Sequence, residues 1–294
     1  MSTSFTLYHS NAVDSGSFSG GAWQPNLPLA NLYVPTTTRR ARSVDTQLVS
    51  TQFKLTMAEP LTSRGIQIVG TNLSSAAQYR LSWYADQAFT LLNGTTGFIA
   101  VGSSIDWTNT LEWFDWLSIN FWLGAEPFFD PDNLGRDIKY TFPIPTSLQF
   151  LKIEFDDTTN ADGYVEVGYL FVGKSFIPSI NVAPDPTFSR ISLTSMQQTI
   201  GGSQYFNRRA SRRHMTVSWP ILPREEVLGD IDQIIEIHDI DRPVFVDLDP
   251  DNQDSGLKTS FLARLQQLPE AKLLEAYLES DTGAAIGFEF IQVL

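Results

Sequence analysis

The sequence has 294 residues and no cysteine. That absence removes disulfides, thiolate metal sites and cysteine nucleophiles together. Histidine is scarce as well: His9, His214 and His238 lie far apart, with no His-x-x-x-His pair and no adjacent Ser/Asp partner. Convergent metal ligation or general-base chemistry at any of them is therefore not indicated. His238 is expected to close a helix, where a cation offsets the C-terminal end of the dipole. Basic residues are few, 20 against 33 acidic ones, for a net charge of −13. This disfavours general or sequence-specific binding to nucleic acid, which needs a surplus of Lys and Arg. No apolar run reaches the roughly 18 residues of a membrane-spanning helix, so no membrane insertion is expected. The most apolar window, 117–124, reads as a buried strand. Met1-Ser-Thr-Ser-Phe5 lacks the basic and apolar regions of a secretory leader. Gly20-Gly21 and Gly201-Gly202 are not followed by Lys-Ser/Thr, which leaves no phosphate-cradling loop. No repeat of fixed period is visible.

What is present is alternation. Leu151, Ile153 and Phe155 point one way, Lys152 and Glu154 the other. The chain turns at Asn160-Ala-Asp-Gly163, then runs from Tyr164 to Val172 with rising apolarity, which predicts a β-hairpin. Segments 65–70, 78–84 and 148–155 read as further strands, and 93–136, with Trp107, Trp113, Trp116 and Trp122, as a long insertion between strands. Three prolines within 176–186 suggest a stiff connector, dividing the chain into domains 1–178 and 179–294. In the second domain, 189–193, 213–219, 242–248, 261–265 and 286–294 are strand candidates. Val227, Leu228, Ile231, Ile234 and Ile235 fall on one face of a helix that has Pro223 at its start and Glu225 and Glu226 in its first turn.

Candidate sites are sparse. Asp247-Leu-Asp-Pro-Asp has the acid spacing of a calcium loop, but Asn252 stands where the turn glycine belongs and Lys258 where the bidentate glutamate belongs, so a solvated acidic turn is the better reading. Asp130-Pro-Asp-Asn133, Asp156, Asp157 and Asp162 offer loop carboxylates with no specific spacing. Nothing singles out one carboxylate pair for glycoside hydrolysis among the 33 acids. Neither a cofactor nor an enzymatic role is expected. Arg208, Arg209, Arg212 and Arg213 form a dense basic cluster in an acidic chain. It is either a solvated strand or a contact with an acidic neighbouring subunit, or with nucleic acid in a pore. Trp107 and Trp113 are candidates for stacking on a sugar, with core packing as the alternative.

Several stretches carry a family resemblance. Trp23-Gln-Pro-Asn-Leu-Pro-Leu-Ala-Asn-Leu32, Arg39-Arg-Ala-Arg42 and the stretch 64–74 resemble the opening of galactose-binding-like (discoidin-type) β-sandwiches of tailed-phage proteins. The stretch 154–173, with Gly173, Phe176 and Pro178, resembles the closing of the same module. The remainder, with its Arg-rich strand, Trp219, a helix, Arg242-Pro-Val244 and a last strand, is similar to phage tail-tube and distal-tail proteins, although the domain order is reversed from theirs.

The resemblance implies a mainly β chain of two β-sandwich domains. The first is a galactose-binding-like jelly roll, and the second is a tail-tube-like ring domain with one α-helix. It also implies a structural protein of a siphophage tail tip or baseplate, assembled in the host cytoplasm and residing in the virion. Its partners would be other copies in a trimeric or hexameric ring, together with tail tube, baseplate hub and fibres. The alternative is a carbohydrate-binding, host-attachment module that recognises a cell-surface glycan.

Overall fold

The computed structural model describes residues 5–36, 38–74, 76–101, 137–199, 202–250, 259–274 and 283–293. It is mostly strand, as expected. In chain order the strands are β1 Thr6–His9, β2 Ser17–Ser19, β3 Ala41–Arg42, β4 Phe53–Val69, β5 Gln78–Tyr84, β6 Leu92–Thr95, β7 Ile99–Ala100, β8 Ile138–Asp156, β9 Glu166–Val167 and β10 Tyr169–Phe171. They continue as β11 Lys174–Phe176, β12 Thr187–Ile191, β13 Ser195–Gln198, β14 Gln204–Asn207, β15 Arg212–Pro223, β16 Val244–Asp247, β17 Ser260–Leu265, β18 Lys272–Leu274 and β19 Gly283–Gln292.

Two compact units emerge. One comprises Ala12–Val172; the other joins Met1–Asn11 to Gly173–Asn252 and Lys258–Leu294. The first is thus a sandwich inserted into the second, the flanking unit. This differs from the division at 178/179. The reason is β1, which pairs with β11 on one side (Leu7 opposite Phe176) and β16 on the other (Leu7 opposite Val246). Strand β1 buries Leu7 among flanking-unit residues such as Val217 and Phe261. Nor is 176–186 a free connector. Phe5 N–H donates to Asn181 Oδ1, Ala183 N–H to Ser218 O, and the Trp219 indole to Ile180 O, so main-chain groups of this proline-containing stretch are tied down.

In the inserted sandwich the main sheet runs β10-β4-β8-β5-β6, with β2 also on β4 and β7 on β5; β3 and β9 form a second small pair. Strand β4 bulges between Thr56 and Leu61 and again between Ser63 and Gly65 against β8, which re-aims both long strands midway. The core is formed by inward residues of alternating strands, including Phe53, Leu55, Leu81, Leu151, Ile153, Phe155 and Leu170. Each such side chain contributes about 1.5–3 kcal/mol by burial.

The hairpin expected over 151–173 is corrected. The turn at 160–163 forms, with Gly163 at φ +74° and its N–H on Asn160 O. However, β8 and β10 do not pair with each other, since both pair with β4, which lies between them. Period-2 patterning fixes the face of a strand but not its neighbour.

The flanking unit is an antiparallel sheet in the order β11-β1-β16-β17-β19-β15-β12, with β18 on β19. Its core combines Trp219, Phe288, Phe290, Phe261 and Phe5 with the helix residues Val227, Ile231 and Ile234. This helix, α1, spans Arg224–Glu226, a wider π turn at Val227–Ile231, and Asp232–His238. Its buried stripe is narrower than expected: Val227, Ile231, Ile234 and His238 recur at steps of four, three and four, whereas Leu228 on the flank is 50% exposed.

Candidate functional site

The outer face of the inserted sheet gathers an aromatic and cationic surface. Because successive side chains alternate, placing Phe53, Leu55, Leu81, Leu151 and Ile153 in the core sends Lys54, Thr56, Arg80, Ser82, Tyr84, Phe150, Lys152 and Glu154 outward. Register aligns them in rows: Lys54 opposite Lys152 opposite Ser82, and Thr56 opposite Phe150 opposite Tyr84.

The loop after β5 adds Phe89 to this surface. Its ring lies 5.3 Å from Tyr84 and 6.1 Å from Phe150, both edge-on, and the Lys54 ammonium sits 4.6 Å from its centroid. Phe89 has φ +58°, left-handed backbone that a bulky L-residue rarely adopts. The Asp86 carboxylate imposes it. One oxygen accepts from Thr90 N–H at 3.0 Å and Leu91 N–H at 2.6 Å; the other accepts from the Thr90 hydroxyl at 2.8 Å. The Leu91 N–H, foremost among these bonds, holds the Asp86 carboxyl below its ordinary range. Further along the face, Glu154 accepts from Arg80 Nε at 2.7 Å and Lys152 Nζ at 2.9 Å, while the Arg80 guanidinium lies 4.5 Å from the centre of the Phe98 ring. Burial alone would raise the Glu154 carboxyl, but the two cations outweigh it and lower it.

A second polar cluster is a structural lock. Glu166 takes hydrogen bonds from Arg40 Nη1 at 2.9 Å and from Arg42 Nε at 2.8 Å, and the Arg42 guanidinium covers the Tyr164 ring at 4.0 Å. Asn72 ties this to the 160–163 turn by donating to Asp162 Oδ2 and Tyr164 O and accepting from Glu166 N–H. Asp157 accepts from Ser74 N–H and hydroxyl and from Asn160 Nδ2. The carboxylates of Asp157 and Asp162 thus serve the loop itself.

In the flanking unit His9 and His238 stack edge-on at 5.9 Å. His238 Nε2 accepts from Ser10 N–H at 2.9 Å, so that nitrogen carries no proton. Burial, with Arg242 nearby, lowers the His238 pKa; burial, His238 and Lys174 bring His9 to about 4. The expectation of a charged His238 at the helix end is corrected: the ring is buried and its Nε2 accepts a backbone N–H, and burial, with Arg242, lowers its pKa rather than favouring the cation. Ser10 (φ +53°) and Asp239 (φ +45°) hold left-handed backbone beside it.

The sequence candidates separate. Arg208 and Arg209 are exposed after β14, whereas Arg212 and Arg213 open β15 and are half-buried. Arg213 donates to Ser260 O at 3.1 Å and covers Phe261 at 5.4 Å, a packing role. Trp107, Trp113, Trp116, Trp122 and the stretches 117–124 and 130–133 lie outside the described residues. So do 251–254; Asp247 is buried, and its Oδ1 accepts from Asp249 N–H at 3.3 Å. No group of three or more potential metal ligands occurs among the described residues. Tyr84, Phe89 and Phe150 were missed in sequence reading. An Asp followed by Thr90 four residues on is too common a loop pattern to mark a strained aromatic.

No family model matches the sequence, and no curated protein matches it. Solved structures do show a likeness. One is CBM32-1 from a family 31 glycoside hydrolase of Clostridium perfringens, with 12% identity, 56% of this chain and 99% of that chain covered, and a TM-score of 0.38. Another is the family 32 carbohydrate-binding module of C. perfringens NanJ in complex with galactose, with 13% identity, 56% and 96% covered, and a TM-score of 0.34. A third is a fucolectin from the serum of striped bass, Morone saxatilis, with 8% identity, 97% and 93% covered, and a TM-score of 0.35. All three scores lie below 0.5, and no residue role is carried across from them.

Proposed function

We propose that this is a non-catalytic binding protein that attaches to a surface glycan through the outer face of its inserted sandwich. The observation that carries this reading is Phe89, an aromatic residue held at φ +58° by Asp86 and set among Tyr84, Phe150 and Lys54 on a sheet face. Left-handed backbone at a bulky residue costs on the order of 1–3 kcal/mol and collects at binding sites. A pyranose has one apolar C–H face and a rim of hydroxyls. The rings suit the first; Lys54 and Lys152 suit the second.

The test is a glycan array followed by titration calorimetry on the strongest hit. Phe89→Asn keeps a residue that tolerates left-handed backbone, and Tyr84→Ala removes the neighbouring ring. Both should weaken binding about tenfold or more while the fold persists. An array without any binder, or binding indifferent to both changes, rejects the reading.

A second reading has its own support: the flanking unit as a ring-forming component of a phage tail tip, meeting other copies, tail tube, baseplate hub and fibres. Among the described residues, strands β13 and β14 pair only with each other, and all eight of their residues are exposed. A lone two-stranded ribbon is marginal in water, which favours a role completed by a neighbouring protein. Light scattering after gel filtration tests it; a closed oligomer supports it.

A further inference from the structure

Charge in the flanking unit is divided along the chain. Residues 186–224 contain six arginines (Arg190, Arg208, Arg209, Arg212, Arg213 and Arg224) and no Asp, Glu or Lys. Residues 225–241 contain seven acids and no Lys or Arg. The first segment builds β12, the β13–β14 ribbon and β15; the second builds α1 and its end. Among the described residues, no ion pair engages Arg208, Arg209 or the exposed acids Glu225, Asp230, Asp232, Glu236, Asp239 and Asp241. Glu226 is set apart, since it accepts from Ser179 N–H and hydroxyl. Each surface also exposes apolar groups. On the ribbon these are Tyr205 and Phe206, each 63% exposed, with Met196; on the helix side they are Leu228, Ile237 and Ile240.

We propose that the basic ribbon of one copy docks on the acidic outer face of α1 in a second copy, joining copies head to tail. The inference rests on the assembly reading above and assigns its contact surface. A second copy is the occupant because both complementary surfaces are present on every chain. The ribbon offers exposed rings with Arg208 and Arg209 directly after β14, and the helix offers anions with exposed aliphatic side chains beside them. Two different patches meeting give a heterologous contact, which closes into a ring or continues as a filament. Arg208, Arg209 and the exposed acids steer the encounter and disfavour ribbon-to-ribbon or helix-to-helix pairing. The buried aromatics supply the hold.

The test compares the full-length protein with two charge reversals, Arg208→Glu/Arg209→Glu and Asp232→Arg/Glu236→Arg, by sedimentation velocity at low and high salt. All four positions are exposed, and the half-buried Arg212 and Arg213 are left unchanged so that β15 stays intact. Each reversal alone should weaken self-association about a hundredfold. Mixing the two variants should restore association, since the acidic ribbon of one then faces the basic helix of the other. Circular dichroism confirms the fold of each. Association unchanged in both variants, or no recovery on mixing, overturns this docking and leaves assembly through another surface. A wild-type chain that stays monomeric at every concentration overturns the docking and self-assembly together.

Discussion

The inserted sandwich and the flanking unit treat charge in opposite ways. In the sandwich, Glu166 is shared by Arg40 and Arg42, and Glu154 by Arg80 and Lys152, each carboxylate largely withdrawn from water and answered by two cations. In the flanking unit, Arg208 and Arg209 after β14 and the exposed acids of α1 lie on separate elements, the strands of the ribbon are exposed throughout, and all three histidines are found there. The sandwich answers these two carboxylates internally, whereas among the described residues Arg208, Arg209 and the exposed acids of α1 engage no ion pair.

The largest expected effect tests the sandwich side. Glu166→Ala leaves Arg40 and Arg42 facing each other without the carboxylate. Because both arginines are about a third exposed, solvent screens part of the loss, and about 2–3 kcal/mol of stability should disappear in urea titration. A loss under about 0.5 kcal/mol would make the pair decorative and erase the contrast.

Next comes pH. His9 has a folded pKa of about 4, below its ordinary 6.5, and His238 is lowered in the same direction. Between pH 6.5 and 4 the unfolded chain therefore binds protons that the folded unit does not. Stability contributed by the neutral rings is complete above pH 6.5 and is lost as pH falls toward 4, on the order of 2 kcal/mol. Residues 12–172 contain no histidine, and Glu154 stays ionised below the usual carboxylate range, so the sandwich should hold through this window. Hydrogen exchange at pH 7 and pH 5 reads the two units separately; equal loss of protection in both contradicts the prediction.

A smaller effect concerns the Phe89 loop. Asp86→Ala removes the acceptor for Thr90 and Leu91, and Phe89 should relax toward ordinary backbone. Glycan affinity should fall about tenfold, with the melting temperature lowered by only a few degrees. Unchanged affinity would show that the loop geometry is incidental. The smallest effect is on the flanking side: Arg208→Glu/Arg209→Glu should change monomer stability by less than about 0.5 kcal/mol, because both side chains are exposed. Marked destabilisation in denaturant titration would mean that these charges are answered within the chain.

The sequence by itself determined the β class, most strand positions, the helix over 224–238 and which strand residues face inward, since alternation and helical spacing are local and burial acts on them directly. Leu151, Ile153 and Phe155 went inward as read, and Trp219 took a core place. Tertiary structure alone decided that β4 separates β8 from β10, that β1 joins a unit whose remaining strands begin at Lys174, and that His9 meets His238 across 229 residues. It also decided that Asp86 would turn Phe89 outward beside Tyr84 and Phe150. Each of these depends on which distant surfaces exclude water together. A local pattern tells a residue which side to face, but only the closed fold chooses what stands there.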